Sequence, residues 1–180
     1  MKTTIIYSKI EDALSLPSSY IIDAVSKIKL NKKKRESLAA WKLIEKLIGS
    51  KELHAIEKRN NRYYHPRYYL SVTHSDIFVA VGVSEEMLGI DLEEKKRDIF
   101  DLRLFNKIST TNEKAFYRMT PSKEDILTLW TKKEAFFKFN NDKYNVDTIN
   151  LAFSCLDNKD FVLTCYPKGD ISFIELENQK

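Results

Sequence analysis

The run from Ile77 to Val83 constrains the fold more than any other segment. Ile77, Val79, Val81 and Val83 alternate with Phe78, Ala80 and Gly82, so an extended strand here is apolar or small on both faces. Such a strand belongs in the middle of a sheet, covered on both sides. A second β-rich run, Tyr68 to Thr73, precedes it, joined through His74, Ser75 and Asp76. The pair predicts strand, tight corner, strand. Helical spacing lies on either side. Leu38, Trp41, Ile44 and Ile48 recur every three or four residues and predict a helix ending at Gly49. A second helical pattern starts at Ile99, passes Pro121 and continues through Ile126, Leu127, Trp130, Phe136 and Phe137. Ser122 and Asp125 have the spacing of a capping box.

Further strands are predicted at both ends. Thr3 to Tyr7 carries β-branched and aromatic residues, and Pro17 and Ser18 precede a run of helical spacing. Leu88 to Glu93 alternates Leu88, Ile90 and Leu92 against Gly89, Asp91 and Glu93. Ile149 to Leu156, Phe161 to Tyr166 and Ile171 to Leu176 read as a closing antiparallel meander. The order strand, helix, strands therefore occurs twice, which predicts an α+β fold of two α/β halves, residues 1–86 and 87–180. A chain of 180 residues suits one compact unit or two small halves sharing a core. No Gly/Ser/Pro-rich linker separates the halves, so domains on a flexible tether are not expected.

Composition excludes several classes. With 43% hydrophobic and 31% charged residues and only 4 Gly and 4 Pro, the chain is neither disordered nor collagen-like. Thirty basic against twenty-six acidic residues leave a net charge of +4, a mild preference for anionic partners. Cys155 and Cys165 lack a CxxC spacing and a nearby histidine, so zinc-finger and redox-motif readings fall away. They are expected as buried thiols in a reducing compartment. The longest apolar run is far below the ~18 residues that span a bilayer, and the start lacks a signal-peptide pattern. A cytoplasmic address and no membrane association are expected.

Four groups of residues could carry chemistry. Asp91 and Glu93, two apart on a strand, project from one face and can converge on a hard cation; the competing reading is a strand end solvated by water. Gly89, on that same face, allows another backbone or a ligand to approach closely. Trp130, Glu134 and Lys138 share one helical stripe, where Glu134 and Lys138 also have the spacing of a surface ion pair. His74 and Ser75 sit at a strand corner that could reach an anion, or they are ordinary turn residues. Lys32, Lys33, Lys34 and Arg35 open a helix, where basic charge opposes the helix dipole unless an anion is bound.

Taken together, Gly89-Ile90-Asp91-Leu92-Glu93 and Trp130-Thr131-Lys132-Lys133-Glu134-Ala135-Phe136-Phe137-Lys138 resemble the paired signatures of the 4′-phosphopantetheinyl transferases. The second segment matches the pattern W-[S/T/C]-x-K-E-[A/S]-x-x-K at every fixed position. Ser71-Val72-Thr73-His74-Ser75 resembles the S-x-S-H-S corner of that family. Arg35-Glu36-Ser37-Leu38-Ala39-Ala40, with the lysines before it, resembles its N-terminal basic helix. About ninety residues precede Gly89, which matches the longer, pseudo-dimeric, surfactin-synthetase-activating type rather than the short trimeric holo-acyl-carrier-protein synthases.

The resemblance implies two halves related by a pseudo-two-fold in one monomeric chain. It further implies transfer of 4′-phosphopantetheine from coenzyme A to a serine of an apo acyl or peptidyl carrier protein. Asp91, Glu93 and Glu134 would hold Mg²⁺, and Glu134 or Glu93 would take the serine proton. Lys138 and Lys133 would bind the diphosphate. His74, Ser75, Lys33, Lys34 and Arg35 would serve the coenzyme's phosphates. Three departures stand out: Thr73 replaces a serine, His65-Pro66 replaces Lys-Pro, and the connection from Phe105 to Glu113 is longer than in the family, leaving Glu113 without a clear role. Two rival readings are a small basic module stacking nucleic acid on Tyr63, Tyr64, Tyr68 and Tyr69, and a non-catalytic carrier-binding homologue. The first leaves the acidic residues unexplained, and the intact acidic triad argues against the second.

Overall fold

A computed structural model describes residues 2–16, 18, 25, 28–59, 62–140 and 146–177. The chain divides into two units, Met1–Glu86 with Asp170–Lys180, and Met87–Gly169.

The first unit is built on a six-stranded sheet. Its strands are β1 (Lys2–Lys9), β2 (Glu57–Arg59), β3 (Arg62–Tyr64), β4 (Tyr69–His74), β5 (Phe78–Ser84) and β9 (Asp170–Glu175), in the spatial order β2-β3-β4-β5-β1-β9. The doubly apolar β5 lies inside it, antiparallel to β4 on one side and to β1 on the other. Val79, Ala80 and Val81 are fully buried, whereas Ile77 is left exposed in the corner before the strand. Helix α1 (Ile10–Ser15) follows β1, and α2 (Asn31–Ile48) follows in turn. The periodic face of α2 buries Ala39, Ala40, Trp41, Leu43 and Ile44 in one core with Ile6, Val79 and Val81. Gly49 ends α2 at a φ of 86°, where only glycine is relaxed, and its N–H bonds back to Glu45. The helical run expected after Pro17 falls largely outside the described residues.

The second unit carries β6 (Gly89–Glu94), α3 (Leu102–Ile108), α4 (Thr111–Phe116), α5 (Lys123–Asn140), β7 (Ser154–Asp157) and β8 (Phe161–Tyr166). Its sheet has the order β6-β8-β7, antiparallel throughout. The long helical pattern expected from Ile99 is three helices. Thr110 caps α4 in a reciprocal box with Glu113, and Pro121 separates α4 from α5. Ser122 and Asp125 form the expected box, each side chain accepting the other's backbone N–H, at 3.1 and 2.9 Å. Phe105, Ile108, Ile126, Leu127, Leu129 and Val162 pack as the core.

The expected closing meander is only a hairpin, β7 with β8. The third strand, β9, instead pairs parallel with β1, placing Asp170–Lys180 in the first unit rather than in a half running from 87 to 180. Side-chain contacts hold it there: the Tyr7 hydroxyl donates to Glu175 at 3.1 Å and the Ser8 hydroxyl to the Leu176 carbonyl at 2.8 Å. Alternation identifies a strand but not its neighbour, and the outer edge of β1 was open to it. Cys165 is buried as expected and its thiol is pushed up to about 12 by burial. Cys155, expected buried, is exposed because β7 is the edge strand of its sheet.

Each unit contains a strand, a helix of 18 residues and a hairpin whose second strand pairs antiparallel with the first strand, with α1, β2 and β3 interposed in the first unit and α3 and α4 in the second.

Candidate functional site

In the second unit the site is built from β6 and α5. The strand alternation puts Gly89, Asp91 and Glu93 toward the helix, and the absent side chain at Gly89 sets the spacing. A Cβ there would lie 1.9 Å from the Ala135 carbonyl oxygen and 2.6 Å from the Phe139 nitrogen. The close approach expected at Gly89 is thus made by the backbone of α5. Thr131 and Thr164 add a hydroxyl contact of 2.9 Å between α5 and β8.

At this spacing the helical stripe meets the acidic face. The Lys138 ammonium donates to Oδ1 of Asp91 at 2.7 Å, and the Trp130 indole N–H donates to Oε1 of Glu93 at 3.0 Å. The guanidinium of Arg97 closes on Oε2 of Glu93. Glu134, half-buried, stands one helical turn from both Trp130 and Lys138 on the same stripe. Asp91 is 5% exposed, so a strand end washed by water does not describe it. Burial, and then the like charge of Asp91, push the Glu93 carboxyl above the usual range; Arg97 and the indole bond only partly offset them.

A buried and a half-buried carboxylate, Asp91 and Glu93, repelling one another are suited to a hard divalent cation, which takes carboxylate oxygens readily. Among the described residues no group of three or more His, Cys, Asp or Glu side chains encloses a metal by itself. A cation held by Asp91, Glu93 and Glu134 would therefore complete its shell with ligand oxygens and water, as Mg²⁺ commonly does.

Lys133 is not brought to this face. It is buried, its ammonium 2.8 Å from the Glu113 carboxylate and 2.8 Å from the Val146 carbonyl. Glu113, fully buried, also accepts from the Thr110 N–H and from the N–H and hydroxyl of Thr148. Burial pushes its carboxyl up, but the bond from Lys133 and those from Thr110 and Thr148 outweigh it and hold it below the usual range. The pair ties α4, α5 and the segment at 146–148 together. Sequence spacing offered no sign of this, since lysine and glutamate are rarely buried unless paired. Arg97 was also missed: it lies four residues after Glu93 but in a turn, outside any helical register.

In the first unit, contacts join the opening turn of α2 to the β4–β5 corner. Lys32 pairs with Asp76 at 2.5 Å, and Nδ1 of His74 lies 3.7 Å from the Glu36 carboxylate. His74 is half exposed. The Ser75 hydroxyl accepts from the Phe78 N–H at 3.0 Å and closes the corner. Arg35 pairs with Glu11, while Lys33 and Lys34 are exposed with no ion pair among the described residues. The side chain of His65, in the place of a lysine, is covered and stacked on Tyr68, with Nε2 3.2 Å from Glu52. Of the tyrosines a nucleic-acid reading requires, Tyr63 is buried edge-on against Trp41.

No helix among the described residues is long and apolar enough to cross a membrane. Comparison with curated proteins returns no match. The family model described as the 4′-phosphopantetheinyl transferase superfamily matches residues 87–179, more than half of the 180-residue chain. That span contains β6 with its two carboxylates, Arg97, the Glu113–Lys133 pair and the whole of the Trp130 to Lys138 stripe, and the chain belongs to the 4′-phosphopantetheinyl transferase superfamily.

Proposed function

We propose that this protein transfers the 4′-phosphopantetheine group of coenzyme A to a serine of an apo acyl or peptidyl carrier protein, releasing adenosine 3′,5′-bisphosphate. The observation that carries the reading is the meeting of Asp91 and Glu93 with Trp130 and Lys138 across β6 and α5, inside the span that the family model matches.

The serine oxygen attacks the phosphorus bonded to the pantetheine oxygen. A new P–O bond forms to serine, and the diphosphate P–O bond to the nucleotide breaks. The serine proton passes to a carboxylate, Glu134 first and Glu93 as the alternative. Lys138 presents a compact charge with three donors, able to turn from Asp91 to a diphosphate oxygen. Asp91, Glu93 and Glu134 would hold Mg²⁺, whose chemistry here is to neutralise charge developing on the diphosphate. On the first unit, Lys33, Lys34, Arg35, His74 and Ser75 offer cations and a hydroxyl to a phosphate of the coenzyme. Lys133 leaves the expected diphosphate set, because a buried, paired ammonium has no reach to a ligand.

The strand, long helix and hairpin present in each unit support the longer, pseudo-dimeric type; a cytoplasmic monomer completes the proposal. The test is to mix the protein with coenzyme A, Mg²⁺ and a panel of apo carrier proteins and weigh the intact carriers, with and without EDTA. A metal-dependent gain of one phosphopantetheine on a carrier serine is expected. Asp91→Ala and Glu134→Gln should abolish it while the far-ultraviolet circular dichroism spectrum is unchanged. Near-wild-type transfer by either folded variant overturns the assignment.

A further inference from the structure

Two donors meet the Glu93 carboxylate. Trp130 holds Oε1, and Arg97 holds Oε2 from a turn just past the end of β6. The two donors differ in what they can do. The indole is fixed on α5 and carries no charge. Arg97 is 39% exposed in its side chain, reaches Glu93 from outside any helix or strand, and carries the full positive charge that offsets the carboxylate. A cation taking Oε2 of Glu93 must contend with the guanidinium that already holds it.

We propose that Arg97 is an internal counter-cation for Glu93, competing with a divalent cation for that carboxylate and surrendering it when a diphosphate offers the guanidinium another anion. This rests on the functional reading above and adds to it an order of events. A divalent cation alone binds weakly because it must displace Arg97 and endure its charge. The cation and the coenzyme together bind well, because the planar fork of arginine matches two phosphate oxygens as readily as a carboxylate. Binding of metal and of coenzyme is then positively coupled through one side chain. By linkage, each raises the affinity for the other by the same factor.

The test uses Mn²⁺ as the probe, counting free ion by its electron paramagnetic resonance signal, with the full chain and its Arg97→Gln, Arg97→Lys and Arg97→Gln/Glu93→Gln variants. Removing a unit positive charge beside a divalent-cation site should tighten Mn²⁺ binding to the protein alone by about tenfold. Arg97→Lys, which keeps the charge and loses the fork, should bind Mn²⁺ alone about as wild type does. The double variant should lose the gain. Coenzyme A should tighten Mn²⁺ binding to wild type more than to Arg97→Gln. Arg97→Gln binding Mn²⁺ alone no more tightly than wild type overturns the competition. Failure of coenzyme A to bind any variant overturns the functional reading instead, since the Mn²⁺ titration without coenzyme does not depend on it.

Discussion

Gly89→Ala is the sharpest test of how the acidic face is assembled. The added methyl would sit 1.9 Å from the Ala135 oxygen and 2.6 Å from the Phe139 nitrogen. Both are backbone atoms of α5, so no side-chain rotation relieves the clash. Ordinary contact of about 3.4 Å requires the helix to retreat by about 1.5 Å, which a close-packed interior cannot absorb without loss. A retreat of that size stretches the 2.7 Å Lys138–Asp91 bond and the 3.0 Å Trp130–Glu93 bond beyond hydrogen-bond reach. Overpacking costs ~1–3 kcal/mol, and loss of a part-buried charge-assisted bond ~1.5 kcal/mol at the low end of its range, giving about 2.5–4.5 kcal/mol together. For a chain of this size each kcal/mol moves Tm by ~2–4 °C, so a fall of about 10 °C is expected. Circular dichroism melting measures it. Gly49→Ala is the control: nothing lies within 4 Å of its added methyl, and only its backbone conformation, φ 86° and ψ 154°, opposes the change, at a cost of ~1–3 kcal/mol. A Gly89→Ala melting point within about 2 °C of wild type would refute the claim that the glycine sets the strand–helix distance.

Breaking the Glu113–Lys133 pair at one end should be severe: Lys133→Met is expected to cost ~3–5 kcal/mol, and Glu113→Leu/Lys133→Met less than either single change, as a double-mutant cycle by denaturant unfolding would show. The Glu113 carboxyl lies below its ordinary value of 4.5 in the folded chain, so its contribution is present above that pH and is lost as pH falls through the lower folded value. The stability gap between wild type and Glu113→Gln should therefore narrow below about pH 4.5; a gap that widens in acid would contradict the sign. Thiol titration should report one rapidly reacting cysteine in the native protein, Cys155, and two after unfolding; two fast thiols in the native state would contradict the burial of Cys165.

Strands and helices with a clear period were legible. Alternation located β1, β4, β5, β6 and β8, and the spacing of Leu38 to Ile48 located α2 with its stop at Gly49. Partners were not legible. Nothing in Ile171 to Leu176 says that its neighbour is β1, because strand pairing is settled by edges distant in sequence. The site was legible to the extent that its residues share a face within one element: Asp91 with Glu93, and Trp130 with Lys138. What joins those two faces is Gly89, and its role as a contact point was readable because it sits on the acidic face. The burial of Lys133 was not legible because a motif fixes residue type at a position, whereas burial depends on the helix face. One step of α5 from Glu134 to Lys133 turns the side chain through about 100°, from the acidic face to the core around Glu113.

Two glutamates of the second unit separate structure from chemistry on physical grounds. Glu113 is more deeply buried than Glu93, yet its carboxyl is held low, because an ammonium, two backbone N–H groups and a hydroxyl meet it. It is a group whose charge the fold satisfies and whose loss the fold would register. Glu93 is pushed high, because burial and Asp91 oppose its charge more than Arg97 and Trp130 support it. A chain under selection for stability alone has no reason to place a second carboxylate beside Asp91 and then cover both. The repulsion becomes useful only when another positive charge arrives, and Arg97, reaching in from a turn, is the resident charge that such an arrival would have to replace.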